Sequence, residues 1–191
     1  MKPFISDMKK IQERARQHIT DGAVTASYTA DREKVIKVLN EVLATEIVCV
    51  LRYKRHYYTV DGIFSDSIKA EFLEHANEEQ EHVDMVAARI VQLNGKPDFQ
   101  PANLATRSHS QYAEGTDAVS MIKENLIAER IAIETYMDIA RWLGEDDPTT
   151  RRMIEQILEK EEEHAEDMAT LLARLPASEK QASREQQPKS A

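Results

Sequence analysis

Two Glu-x-x-His pairs, Glu79 with His82 and Glu161 with His164, are the residues of this 191-residue chain with the clearest capacity for chemistry. A chain with 22 Glu and six His holds about 0.7 such pairs by chance, so a single pair would mean little. Here there are two, in matching surroundings. Glu46 precedes the first pair by 33 residues and Glu129 precedes the second by 32, and seven residues after each lone glutamate stands a tyrosine, Tyr53 or Tyr136. The runs Glu79-Gln80-Glu81-His82 and Glu161-Glu162-Glu163-His164 differ at one position. The chain repeats one unit, which predicts two helical hairpins around a pseudo-twofold axis.

All of these residues fall on apolar stripes. Steps of three and four align Val35, Leu39, Val42, Glu46, Cys49 and Tyr53 on one seam, and Ile68, Phe72, His75, Glu79, His82, Val86 and Leu93 on a second. A third runs through Val119, Ile122, Leu126, Glu129, Ile133, Tyr136 and Ala140, and a fourth through Ile154, Ile157, Glu161, His164, Met168 and Leu171. Each seam is interrupted near its middle by Glu, or by Glu and His. A carboxylate in a dry core costs several kcal/mol unless its charge is compensated, so four at one level call for a cation. Two divalent metals supply the matching charge. Glu and His at i and i+3 share a helix face, so an imidazole can bind one metal while its neighbouring carboxylate reaches the other. Mixed carboxylate and imidazole donors suit iron or manganese, and zinc can occupy the same set. Seven residues are two helical turns, so Tyr53 and Tyr136 can point near the metals, donate to a carboxylate or be oxidised; Tyr53 is the catalytic candidate. His75 reads as a satisfied core or cavity residue and Cys49 as a small core residue. His18, His56 and His109 have no seam setting, and the glutamates at 74, 78, 81, 162, 163 and 166 read as solvated faces.

Four long helices must carry these residues. Gly and Pro are scarce, five and six, and the stretches from Ile5 to Lys96 and from Ala102 to Asp147 contain no Pro. The first helix runs from Asp31 as N-cap to near Val60. The second runs from about Ser65 to Asn94, with Gly95 as the helix-ending residue and Pro97 beyond. The third runs from about Thr116 to Leu143, and the fourth from Pro148 to before Pro176. Two short connections make antiparallel hairpins, while roughly 20 residues between Gly95 and Gly115 can travel the length of a ~40 Å helix. The fold expected is all-α, an up-down-down-up four-helix bundle with one long crossover spanning 31–175. An extension over 1–30, with a brief amphipathic helix capped by Ser6, precedes it, and a disordered polar tail over 176–191 follows.

The net charge of −9 disfavours a broad nucleic-acid face and suits a cation-attracting surface. A single cysteine excludes a disulfide within the chain. The longest aliphatic-plus-Cys run, Ile47 to Leu51, is far short of the ~20 residues a membrane span needs, and no apolar signal core opens the chain. A cytoplasmic protein is expected.

With Glu46, Glu79-x-x-His82, Glu129 and Glu161-x-x-His164 in this order, the chain resembles the ferritin-like superfamily, and bacterioferritin most closely, over about Asp31 to Leu175. Glu46-Ile47-Val48 with Tyr53, and Glu79 to His82 with Asp84, carry the likeness. The resemblance implies a ferroxidase centre holding two irons. In it Glu79 and Glu161 bridge, Glu46 and His82 complete one iron's ligands, Glu129 and His164 complete the other's, and Tyr53 matches a tyrosine beside the pair. Gln80 stands where bacterioferritin has its haem-ligating Met, so haem is not expected. DNA-protecting starvation ferritins are less similar, because their site is shared between subunits while here one chain holds both halves. Rubrerythrin-like peroxidases carry a further Glu where this chain has Ala132.

The expected activity is oxidation of Fe(II) by O2 or hydrogen peroxide, for iron storage or detoxification in a homo-oligomeric shell of 12 or 24 subunits. In such a shell Glu74 and Glu78 are inner-surface iron sites. The alternatives are a di-iron peroxidase or oxidase without storage, or a DNA-protecting bundle using the basic Lys2, Lys9, Lys10, Arg14 and Arg16.

Overall fold

The computed structural model describes residues 7–62 and 65–176. Helix α1, Met8–Ala15, is capped by Asp7, whose carboxylate accepts from the Lys9 and Lys10 amides, and none of its residues is buried. The expected cap, Ser6, lies outside the described residues. The helix also stops sooner than its apolar spacing suggests: His18 adopts a left-handed φ of 50°, and a 3₁₀ turn follows over Ile19–Asp21. The polar linker then docks on the bundle. Val24 and Tyr28 pack against the core, Tyr28 donates to Asp147 Oδ2 at 2.9 Å, and Asn94 Nδ2 donates to the Asp21 carbonyl.

The long helices are α2 (Arg32–Thr59) and α3 (Ser65–Gln92), then α5 (Ala118–Leu143) and α6 (Pro148–Arg174). Asp31 caps α2, Asp117 and Ser120 form a capping box on α5, and Pro148 opens α6 behind Asp147. At the end of α3 the left-handed residue is Asn94, with φ 61°, rather than Gly95. The Gly95 amide reaches back to the Ile90 carbonyl, and Gly95 is needed for another reason: a Cβ there would lie 2.9 Å from Ile36 Cγ2 on α2.

The crossover sets the topology, and its contacts give its direction. Asn40 accepts from the Asp98 amide, Thr45 from the His109 amide, and His56 meets the Ala113 carbonyl, so residues 98 to 113 ascend alongside α2 from its start towards its end. Midway a short helix not expected from the sequence, α4 (Leu104–Arg107), packs Leu104 against Ala44 and Val48. The chain therefore enters α5 at the far end of α2, and the order is up-down-down-up, as the connection lengths predict. No helix among the described residues is long and apolar enough to cross a membrane.

Apolar packing forms two clusters at opposite ends of the bundle's interior. One contains Leu39, Val42, Val86, Ile90, Tyr136, Ile154 and Ile157; the other contains Tyr53, Ile68, Phe72, Val119, Ile122 and Met168. Each fully buried aliphatic side chain contributes roughly 1.5–3 kcal/mol. These clusters hold rigid the four helices that carry the intervening polar side chains. The repeated tyrosines fall one in each cluster, as a pseudo-twofold arrangement requires.

Candidate metal centre

Each long helix delivers its polar residues from the middle of its buried stripe. Glu46 comes from α2, Glu79 and His82 from α3, Glu129 from α5, Glu161 and His164 from α6; none is more than 6 % exposed. They form two overlapping groups, Glu46, Glu79, His82 and Glu161 in one and Glu79, Glu129, Glu161 and His164 in the other, with donor atoms within 4.8 Å of one another. Glu79 and Glu161 belong to both. His82 Nδ1 lies 3.2 Å from Glu46 Oε2, 3.4 Å from Glu79 Oε2 and 3.1 Å from Glu161 Oε1. His164 Nδ1 lies 3.6 Å from both Glu79 Oε1 and Glu161 Oε2. The two imidazoles thus turn the same nitrogen toward the same carboxylate pair.

The tyrosines join the halves. Tyr53 donates to Glu129 Oε1 at 2.5 Å, and Tyr136 donates to Glu46 Oε1, so each half's tyrosine fixes the other half's lone glutamate. Burial and those carboxylates push both phenols well up, and both remain protonated. The structure places Tyr136, the weaker sequence candidate, as the counterpart of Tyr53.

Charge in this layer is finely divided. Burial raises Glu46 and Glu129 well above the usual carboxylate value, and the fields of Glu79 and Glu161 raise them further. Burial acts on Glu79 and Glu161 in the same direction, and on Glu161 the charge of Glu79 adds to it, but the imidazoles of His164 and His82 outweigh this and hold both carboxyls low. Burial alone would lower the histidines. The surrounding carboxylates instead push His82 far up and His164 up to about 11. Even so, both oxygens of Glu79, both of Glu161, Glu129 Oε2 and His164 Nδ1 are buried without a hydrogen-bond partner. Five carboxylate oxygens and an imidazole nitrogen left so, at the meeting point of two four-residue donor sets, fit a pair of divalent cations; the protein's own groups do not satisfy them.

Several neighbours differ from the sequence reading. Glu78 is only partly solvated, 29 % exposed: its Oε2 accepts from His164 Nε2 at 2.8 Å, which turns His164 Nδ1 inward, and Lys160 pairs with the same carboxylate. Glu74 is exposed, as expected of a solvated face. His56 is fully buried between Asn125 Oδ1 and the Ala113 carbonyl, because it lies three residues beyond Tyr53 and continues the α2 seam. Arg52 was not singled out by the seam pattern, yet it is fully buried, donating through Nε to Asn125 Oδ1 at 2.9 Å with its guanidinium 3.8 Å from Glu129. Its sequence signals are adjacency to Tyr53 and a helical step of three from Cys49. Cys49 is buried beside it, and burial pushes its thiol well up.

The profile of the ferritin-like domain family matches residues 36–178. Bacterioferritin of Desulfovibrio desulfuricans is 27 % identical over 134 residues, 70 % of this chain and 71 % of that protein. A nutrient stress-induced DNA-binding protein of Nostoc sp. is 30 % identical over 159 residues, 82 % of this chain and 83 % of that one. The solved structure of a dodecameric thioferritin, the bacterioferritin-related protein of Bacteroides fragilis, superposes with a TM-score of 0.73 at 33 % identity, covering 76 % of this chain and 88 % of that one.

Proposed function

The chain belongs to the ferritin-like domain family, and from that premise we propose that it is a cytoplasmic ferroxidase that takes Fe(II) as substrate into the four-helix core and serves iron storage or detoxification. The observation that carries this reading is the pair of overlapping donor sets sharing Glu79 and Glu161, with their orphaned buried atoms. Two bound ferrous ions supply two electrons to one molecule of O2 or hydrogen peroxide, a step that a lone ion cannot complete. Glu79 and Glu161 lie between the two ion positions, Glu46 and His82 complete one, and Glu129 and His164 complete the other. Carboxylates remain bound as the metal charge rises. Tyr53 and Tyr136 keep Glu129 and Glu46 in place by donating to them, and Glu78 keeps His164 from rotating. Tyr53 also lies against His75, whose Nδ1 is 3.1 Å from its hydroxyl oxygen. Manganese or zinc fits the same donors, and haem has no part in this reading.

A homo-oligomeric shell of 12 or 24 subunits is part of the proposal, supported by the dodecameric relative. Its test combines size-exclusion mass with stepwise Fe(II) loading in air. A large shell that holds many Fe(III) per chain in soluble form supports storage. Oxidation that stops near two irons per chain in a small oligomer supports a di-iron peroxidase or oxidase instead. A second reading, DNA protection, is favoured by α1, whose Lys9, Lys10 and Arg14 are all exposed, and by the DNA-binding relative. A salt-dependent DNA mobility shift that is lost on deleting residues 1 to 20 supports it, and no shift rejects it.

A further inference from the structure

Beside the centre, on the solvent side of His164, a second group of acceptors meets. His75 is 2 % exposed and its ring stacks on that of His164, with centroids 4.0 Å apart and 20° between planes. Its Nδ1 lies 3.1 Å from the Tyr53 hydroxyl, whose one proton is already given to Glu129. The His75 nitrogen must therefore be the donor in that contact, which leaves the lone pair of a neutral ring on Nε2.

That lone pair faces two carboxylate oxygens, Glu71 Oε1 and Asp167 Oδ2, each 3.6 Å away. An Nε2–H would draw one of them into hydrogen-bonding distance, and neither is that close. Burial and the charge of Asp167 push the Glu71 carboxyl up, a sign of repulsion left uncompensated. One imidazole nitrogen and two carboxylate oxygens, all within 4.8 Å of one another, converge here.

We propose that Glu71, His75 and Asp167 form a third divalent-cation site, distinct from the two-ion centre and joined to it through His75. Bonds of about 2.0–2.2 Å to a common ion separate ligand atoms by about 3.0–3.5 Å, so the His75 nitrogen, 3.6 Å from each oxygen, is already close to ligating distance from both carboxylates. One imidazole with two carboxylates selects Fe(II), Mn(II), Co(II) or Zn(II) over a thiolate-preferring ion. Asp167 is 50 % exposed and Glu71 30 %, so an ion arrives directly from solvent and then stands one ring away from the centre. Its use as a holding position for incoming Fe(II) rests on the ferroxidase reading; the site itself does not.

Anaerobic equilibrium dialysis of the full chain against Co(II) tests this. The unmodified protein holds about three Co(II) per chain, while Asp167→Asn and Glu71→Gln each hold about two, with the metal-free melting temperature unchanged. A chain carrying both Glu79→Ala and Glu161→Ala keeps about one ion, and adding Asp167→Asn removes it, so failure of the centre and failure of this site are told apart. Two ions in the unmodified chain, or three retained in Asp167→Asn, overturns the proposal.

Discussion

Filling the metal-free centre with two Zn(II) near pH 7 releases about four protons per chain. Burial and the charges of Glu79 and Glu161 raise Glu46 and Glu129 well above the usual carboxylate value, which favours the protonated form of both. The carboxylates around His82 and His164 overcome burial and keep both as imidazolium, with His164 at about 11. Glu79 and Glu161 stay ionised. The metal-free layer is thus neutral, two cations against two anions, which is the arrangement a dry core tolerates. Metal ligation requires all six groups without their protons. Two imidazolium and two carboxylic protons leave, two divalent ions enter, and neutrality is kept. Had the six groups kept ordinary values, the carboxylates would be ionised already and each histidine about a quarter protonated at pH 7, releasing about 0.5 proton in total. The assay is a zinc titration to two ions per chain in weakly buffered solution with a pH indicator, repeated calorimetrically in buffers of differing ionisation heat. Release of fewer than about one proton refutes the reasoning.

Glu78→Gln weakens the orientation of His164 without touching the ion positions, and costs about 10- to 100-fold in metal affinity at that half with the fold retained; competition with a chromophoric chelator reads it. The metal-free protein loses thermal stability as pH rises. His82, His164, Glu46 and Glu129 all have folded values above their unfolded ones, so their contribution is complete below the unfolded values and for His164 is lost between 6.5 and about 11. Glu79 and Glu161 act in the opposite sense, losing their contribution only as pH falls below 4.5. Melting curves from pH 6 to 10 fall for the metal-free protein and stay nearly level for the zinc-loaded one. Gly95→Ala places a methyl 2.9 Å from Ile36 Cγ2 and destabilises the bundle by about 1–3 kcal/mol in denaturant titrations.

The seams were legible because helical periodicity is a local property and because Glu and His in an apolar stripe violate it conspicuously. Every seam position from Val35 to Tyr53 is buried, and the crossover's length was enough to set its direction. What the sequence hid depends on the neighbouring helix. Arg52 is buried because Asn125, 73 residues away on α5, receives its guanidinium, a partner that no periodicity within α2 connects to it. Glu78 looks like any surface glutamate until α6 brings His164 against it. On α5 the interior line includes Asn125 and Ala132, while Leu126 and Ile133 are only half-buried, because the apolar stripe is broader than the seam drawn through it. Gly95 was recognised as special, but its constraint is the approach of Ile36 and not the helix end.

The central claim is that six side chains from four helices hold a pair of ions between them. Anomalous diffraction at the iron edge, from crystals soaked anaerobically in Fe(II), addresses it directly. Two peaks about 3.5–4 Å apart, flanked by Glu79 and Glu161 with His82 Nδ1 and His164 Nδ1 at opposite ends, are the predicted result. Iron found only at surface carboxylates, with these six residues still paired among themselves, would contradict it.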